Sequence, residues 1–150
     1  MRGFLLDTNV VSETGKPDPN PRVVSFLTDR VDLWLSVIVL YELEYGVRLM
    51  PPGRRRDARQ AKLIHLTARF HRRVLPVGRD EAGHAARLCA HARRTGRTVP
   101  MGDALIAGTA AANDLVVATR NTGDFAPFDV EVLNPWNGTA GHRPTPPSTR

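Results

Sequence analysis

Four carboxylates stand where an alternating α/β chain would place its chemistry: Asp7, Glu42, Asp103 and Asp124. Asp7 closes the apolar run Leu5-Leu6, just past the carboxyl end of a strand, the side on which open α/β sheets bind ligands. Asp124 follows a second apolar run, Leu115-Val116-Val117-Ala118, at the end of Thr119-Arg120-Asn121-Thr122-Gly123-Asp124. Glu42 shares a helix face with Ile38, Tyr45 and Leu49, so a carboxylate sits on an apolar stripe and needs a cation, a proton or an arginine partner. Glu44 makes the contrast, because Arg48 lies four residues on, at the spacing of a surface ion pair. Asp103 stands in line with Ala107 and Ala110, which directs it along the buried side of its helix toward the strand ends.

Each residue also has a blander role. Asp7 could serve an Asx-turn or cap, Asp103 could answer a helix dipole, and Asp124 could be a turn residue beside Gly123. Gathered in one crevice, however, four carboxylates repel and raise one another's pKa unless a cation neutralises them. Hard oxygen donors suit magnesium or manganese rather than zinc, and Cys89 is the single cysteine. The chain carries a net charge of +6, and Lys16 and Lys62 are its only lysines. Guanidinium groups grip phosphates through paired hydrogen bonds, so the charge fits a polyanionic partner, although it fits any basic soluble protein too. Acidic cluster and basic surface together point to phosphoryl transfer on nucleic acid.

The elements that must position these residues follow from the apolar pattern. A chain of 150 residues suits one domain around one core. Asp7 interrupts the opening apolar run and no small-residue cleavage site follows, so the N-terminus reads as a strand of a soluble, cytoplasmic protein. Short strands are expected at 3–6, 33–35, 75–77, 115–118 and 130–133. Between them, helices are expected at 22–28, at 36–49 with Ser36 as cap, and at 54–74, which is basic with Leu63, Ile64, Leu66 and Phe70 interspersed. A further helix is capped by Asp80, turns Ala82, Ala85, Ala86, Cys89 and Ala92 inward and stops at Gly96; the last spans 103–113. This alternation argues for an α/β fold with a parallel sheet. Residues 137–150 carry no hydrophobic pattern and read as a flexible tail on a domain of residues 1–136.

At this point the motifs resemble a known family. Leu5-Leu6-Asp7-Thr8-Asn9-Val10-Val11-Ser12-Glu13 resembles the opening signature of PIN-domain proteins of the VapC toxin type. Ser36 to Gly46, Asp103-Ala104-Leu105-Ile106-Ala107, and Thr119 to Phe125 followed by Val132 to Trp136 resemble the later motifs, in order, over about residues 3–136. The resemblance implies a PIN-like three-layer domain, with about five parallel strands flanked by helices. It also implies a magnesium- or manganese-dependent endoribonuclease that is the toxin of a toxin–antitoxin pair. Asp7 and Asp103 would be the direct metal ligands, Glu42 would share the metal or act as base, and Asp124 would complete a second position or orient water. Asn9 and Thr119 would support them. The reaction implied is in-line attack by metal-activated water on a phosphodiester. A homodimer inhibited by an antitoxin is implied as well, the antitoxin lying along 41–50 and 54–74. The helix after Asp7 is expected only beyond the proline-rich loop at Pro17, Pro19 and Pro21.

Two other readings are weighed. A phospho-acceptor or phosphatase domain also gathers aspartates at strand ends. Its receiver form wants an acid beside Asp7 and a late lysine, and its haloacid-dehalogenase form wants an Asp where this chain has Asn9. A non-catalytic RNA- or protein-binding module would gain nothing from four carboxylates where phosphates must lie.

Overall fold

The computed structural model describes residues 2–137. Its centre is a five-stranded, all-parallel sheet of β1 (Phe4–Leu6), β2 (Leu33–Ser36), β3 (Val74–Leu75), β4 (Val116–Ala118) and β5 (Val132–Leu133), in the order β3-β2-β1-β4-β5. Seven helices flank it: α1 (Thr8–Glu13), α2 (Pro21–Asp29), α3 (Val37–Leu49), α4 (Arg54–Arg69), α5 (Arg79–Arg94), α6 (Met101–Ala112) and α7 (Thr122–Phe125). Successive strand residues point to opposite faces, yet Leu5 and Leu6, like Val117 and Ala118, are all fully buried. Both faces of the central strands are therefore covered, and these strands are apolar throughout rather than alternating.

The chain runs from β1 outward through β2 to β3 on one side, then crosses to β4 on the other. The switch falls between β1 and β4, which pair Leu6 with Ala118 at their carboxyl ends. Two outward-running connections leave a gap above the sheet at such a point, and side chains placed there share it. Asp7 follows β1 and Thr119 follows β4, so the topology alone brings them together.

Local chemistry starts the helices. Ser36 Oγ accepts from Ile38 N–H at 3.1 Å to cap α3, and Asn20 Oδ1 accepts from Arg22 N–H at 2.9 Å to cap α2, with Pro21 in the first turn. Gly96 takes a positive φ of 86° after α5, the conformation a stop glycine supplies. Gly108 serves α6 differently: a Cβ there would lie 2.5 Å from Ala85 N on α5, so these two helices touch backbone to backbone.

Several expectations are corrected. A helix starts immediately after β1, because Asp7 itself caps α1; the proline-rich loop separates α1 from α2 rather than delaying the first helix. The basic helix stops at Arg69, with Phe70 buried beneath its end, and β3 begins at Val74. Gly78, not Asp80, occupies the N-cap of α5, and Asp80 lies in its first turn. Ala85 and Ala92 are buried there and Cys89 half-buried, whereas Ala82 and Ala86 are exposed. Asn137 belongs to a short 3-10 helix with Pro135 and Trp136; the rest of the expected tail, 138–150, lies outside the described residues.

Candidate active site

Asp7 is 7% exposed and tightly held. Its Oδ1 accepts from the Thr8 N–H at 2.8 Å, the bond that also caps α1. Its Oδ2 accepts from Thr119 Oγ1 at 2.7 Å and from Asn9 Nδ2 at 3.2 Å. The Thr119 hydroxyl in turn accepts from Asn121 N–H at 3.1 Å, and Asn9 Oδ1 accepts from Arg120 N–H at 3.1 Å. The start of α1 and the loop after β4 are thus laced to one carboxylate. The lacing leaves a buried acid with a single orientation.

Glu42 enters from α3, which follows β2. Its Oε2 accepts a short hydrogen bond from the Thr8 hydroxyl, and no arginine pairs with it among the described residues. The expected apolar stripe is corrected here: Ile38 is half-buried, but Tyr45 and Leu49 are exposed, and α3 buries Val39 and Val47 instead. Glu42 is consequently half-buried at the sheet's carboxyl end rather than in the core. Glu44 pairs with Arg48 at 2.9 Å. A Cβ on Gly102, one residue before Asp103, would come within 3.3 Å of Glu42 Oε1, so glycine leaves that carboxylate its place.

Asp103 lies in the first turn of α6, half-buried, with Ala107 and Ala110 fully buried below it. Asp124, on α7, is exposed at the margin. Burial pushes the Asp103 carboxyl from 3.8 up to about 6, and the charges of Asp7, Asp124 and Glu42 push it the same way. One carboxyl therefore feels the other three. The other three acids thus lie near enough for their charge to reach Asp103, but they are spaced apart: no three described acidic, histidine or cysteine side chains are drawn together as a ready-made cation cage.

The donor chemistry nevertheless fits a hard divalent cation. Every acid at the site offers oxygen, the lone thiol Cys89 lies on α5, and a cation would relieve the repulsion that adds to burial in raising Asp103.

The description "PIN domain" fits residues 4–130, most of the chain. The chain belongs to the PIN-domain family. Within it, this PIN domain is 39% identical to Toxin FitB of Neisseria gonorrhoeae, over 89% of this chain and 99% of that protein. It is 36% identical to the VapC ribonuclease Y4jK of Sinorhizobium fredii, over 89% and 97%. The solved structure of FitAB bound to an IR36 DNA fragment superposes with a TM-score of 0.85 at 36% identity, covering 93% of this chain and 99% of that one.

Two contributors to this PIN domain's site, Thr8 and Gly102, and one anchor of its scaffold, Glu13, were not singled out from sequence. Thr8 lies inside the Asp-Thr-Asn motif, where its neighbours carry the obvious chemistry, but a hydroxyl beside a strand-end acid was a readable signal. Gly102 gave none, because its contact with Glu42 crosses between helices. Glu13 is buried at the end of α1, accepting from Asn20 N–H at 3.0 Å and pairing with Lys16 at 2.8 Å. The Lys16 ammonium and then the Asn20 N–H hold its carboxyl below the ordinary value. It anchors the loop from α1 to α2.

Proposed function

We propose that this PIN domain is a magnesium- or manganese-dependent endoribonuclease and acts as the toxin of a toxin–antitoxin pair. The observation that carries the reading is Asp103, its carboxyl pushed up by burial and then by the charges of Asp7, Asp124 and Glu42, in a basic protein. Such a cluster repels a phosphodiester unless cations stand between them. Similarity to proteins named toxin and VapC ribonuclease supports the same reading.

Asp7 and Asp103 would hold the cation, with Glu42 and Asp124 sharing it or orienting water. The ion, when bound, supplies Lewis-acid activation of water and charge stabilisation in the transition state. The chain's own contribution is positional. Thr119, Asn9 and the Thr8 backbone N–H fix both oxygens of Asp7, so that little reorganisation remains when charge arrives. The Thr8 hydroxyl aims Glu42 at the same site. Asp124, in the open, is free to adjust to substrate or solvent.

An antitoxin and a second copy of the chain complete the proposal. A groove of about 490 Å³ runs between α1, α3 and α4, floored by Val11, Leu43, Val47, Leu63 and Leu66 and edged by basic Lys62. It fits an amphipathic antitoxin segment with acidic flanks, from which a tail would reach the acids and occlude them. Tyr41 and Tyr45, stacked 5.9 Å apart and both exposed on α3, offer an aromatic face for the homodimer.

Sequencing of RNA ends after brief expression tests the function. New 5′ or 3′ ends at defined sites are expected with the natural chain and not with Asp7→Asn. Identical end profiles for the two would overturn the reading.

A further inference from the structure

Arg120 lies on the turn that joins Thr119, bonded to Asp7, to α7, which carries Asp124. Its backbone N–H is held by Asn9, whose amide nitrogen donates to Asp7, so backbone and acid are clamped by one side chain. Its guanidinium carbon stands 5.1 Å from the centroid of the Trp136 ring. The Trp136 backbone is held in turn: its N–H donates to Asn134 Oδ1 at 2.9 Å and its carbonyl accepts from Arg22 Nη1 at 3.2 Å, while the half-buried ring packs on the core.

We infer that Arg120, set over the Trp136 ring, is a phosphate-gripping subsite for the RNA strand beside the acidic site. The inference rests on the ribonuclease reading and names a substrate contact that this reading leaves open.

A nuclease with an acidic centre must attract its polyanionic substrate from the flank. Stacking orients a guanidinium plane and leaves its N–H edge available for two parallel hydrogen bonds to a phosphate. The other stacked arginines are placed differently. Arg69 donates to Leu27 O, Arg73 donates to Val31 O, and Arg30 lies against Phe4 and Phe26, away from the acids. Among the described residues, the Arg120 guanidinium makes neither an ion pair nor a hydrogen bond. Glu13 feels its charge, but that carboxylate is engaged by Lys16 and Asn20. An arginine set over an aromatic ring, one residue from the site and with no ion pair or guanidinium hydrogen bond among the described residues, fits a ligand phosphate better than a structural role.

The test measures binding of a fluorescein-labelled single-stranded RNA by anisotropy at several salt concentrations. Asp7→Asn serves as the parent so that the RNA stays intact. Arg120→Gln is expected to weaken binding roughly tenfold and to reduce the salt slope by about one. Arg120→Lys should restore the slope but not the affinity, because an ammonium keeps the charge and loses the plane. Arg30→Gln should change binding much less than Arg120→Gln, and matching thermal melts establish folding. Intact RNA affinity and salt slope in Arg120→Gln, with the parent binding RNA, overturns the subsite and leaves the ribonuclease reading standing. Loss of antitoxin binding alone in Arg120→Gln overturns the subsite in the same way. A parent that binds no RNA, together with a natural chain that cuts none in magnesium, overturns both.

Discussion

The Thr119 hydroxyl donates to Asp7 Oδ2 at 2.7 Å across 112 positions of sequence, joining the ends of β1 and β4 at the switch point of the sheet. Both residues are buried, and the same hydroxyl accepts from Asn121 N–H. Asp7 orientation therefore depends on a residue that carries no charge of its own.

Thr119→Val keeps the shape and removes these two bonds together with the one the hydroxyl accepts from Asn9 Nδ2 at 3.3 Å. The buried partners left behind predict a loss of about 1–3 kcal/mol in stability, read by urea unfolding. RNA cleavage in magnesium should fall roughly 10- to 100-fold, the usual cost of losing a supporting partner. Unchanged cleavage would show that Asp7 is held adequately without Thr119.

Thr8 tests the other acid. Thr8→Val frees Glu42 from its hydroxyl and is expected to lower cleavage roughly 10- to 100-fold, while Thr8→Ser keeps most of it. Glu42 is half-buried, so stability should move little. Equal rates for Val and Ser would remove Thr8 from the mechanism.

Asp103 gives the pH dependence. Its folded carboxyl titrates near 6 against an ordinary 3.8, so between these values the folded chain binds the proton more tightly than the unfolded chain does. The metal-free fold consequently loses stability as pH rises from about 4 to above 6, by about 1 kcal/mol once solvent screening of a half-buried group is allowed for. Asp103→Asn should abolish that slope and raise the melting temperature at pH 7. Carbon-detected NMR of the carboxyl, showing a midpoint near 4 without metal, would contradict the account.

Gly108 tests the scaffold alone. The Cβ of Gly108→Ala would meet Ala85 backbone at 2.5 Å and force α5 from α6, at a cost of about 1–3 kcal/mol by chemical unfolding. Full stability of the variant would mean that the two helices separate freely.

Much of this was legible because it is periodic or punctuated. Apolar runs marked all five strands to within a few residues, and Ser36 and Gly96 announced a helix start and stop. The parallel sheet then puts Asp7, Asp103 and Asp124 at its carboxyl end without further information. What escaped depends on contacts distant in sequence. Tyr45 and Leu49 read as core because an apolar stripe does not reveal whether another element covers it, and here nothing described does. α1 is hidden because it is only six residues long and the proline-rich loop draws the expected helix to residue 22, although a cap was among the roles open to Asp7 and is one it fills. Ala82 and Ala86 looked inward because alanine fits either environment.

The central claim is tested most directly by the initial rate at which the purified chain cuts labelled RNA, with magnesium or with excess EDTA. Cleavage should require magnesium or manganese and should vanish in both Asp7→Asn and Asp103→Asn while their folded spectra persist. Cleavage that continues undiminished in EDTA, or at the natural rate in Asp7→Asn with magnesium present, would contradict the metal-dependent acidic site.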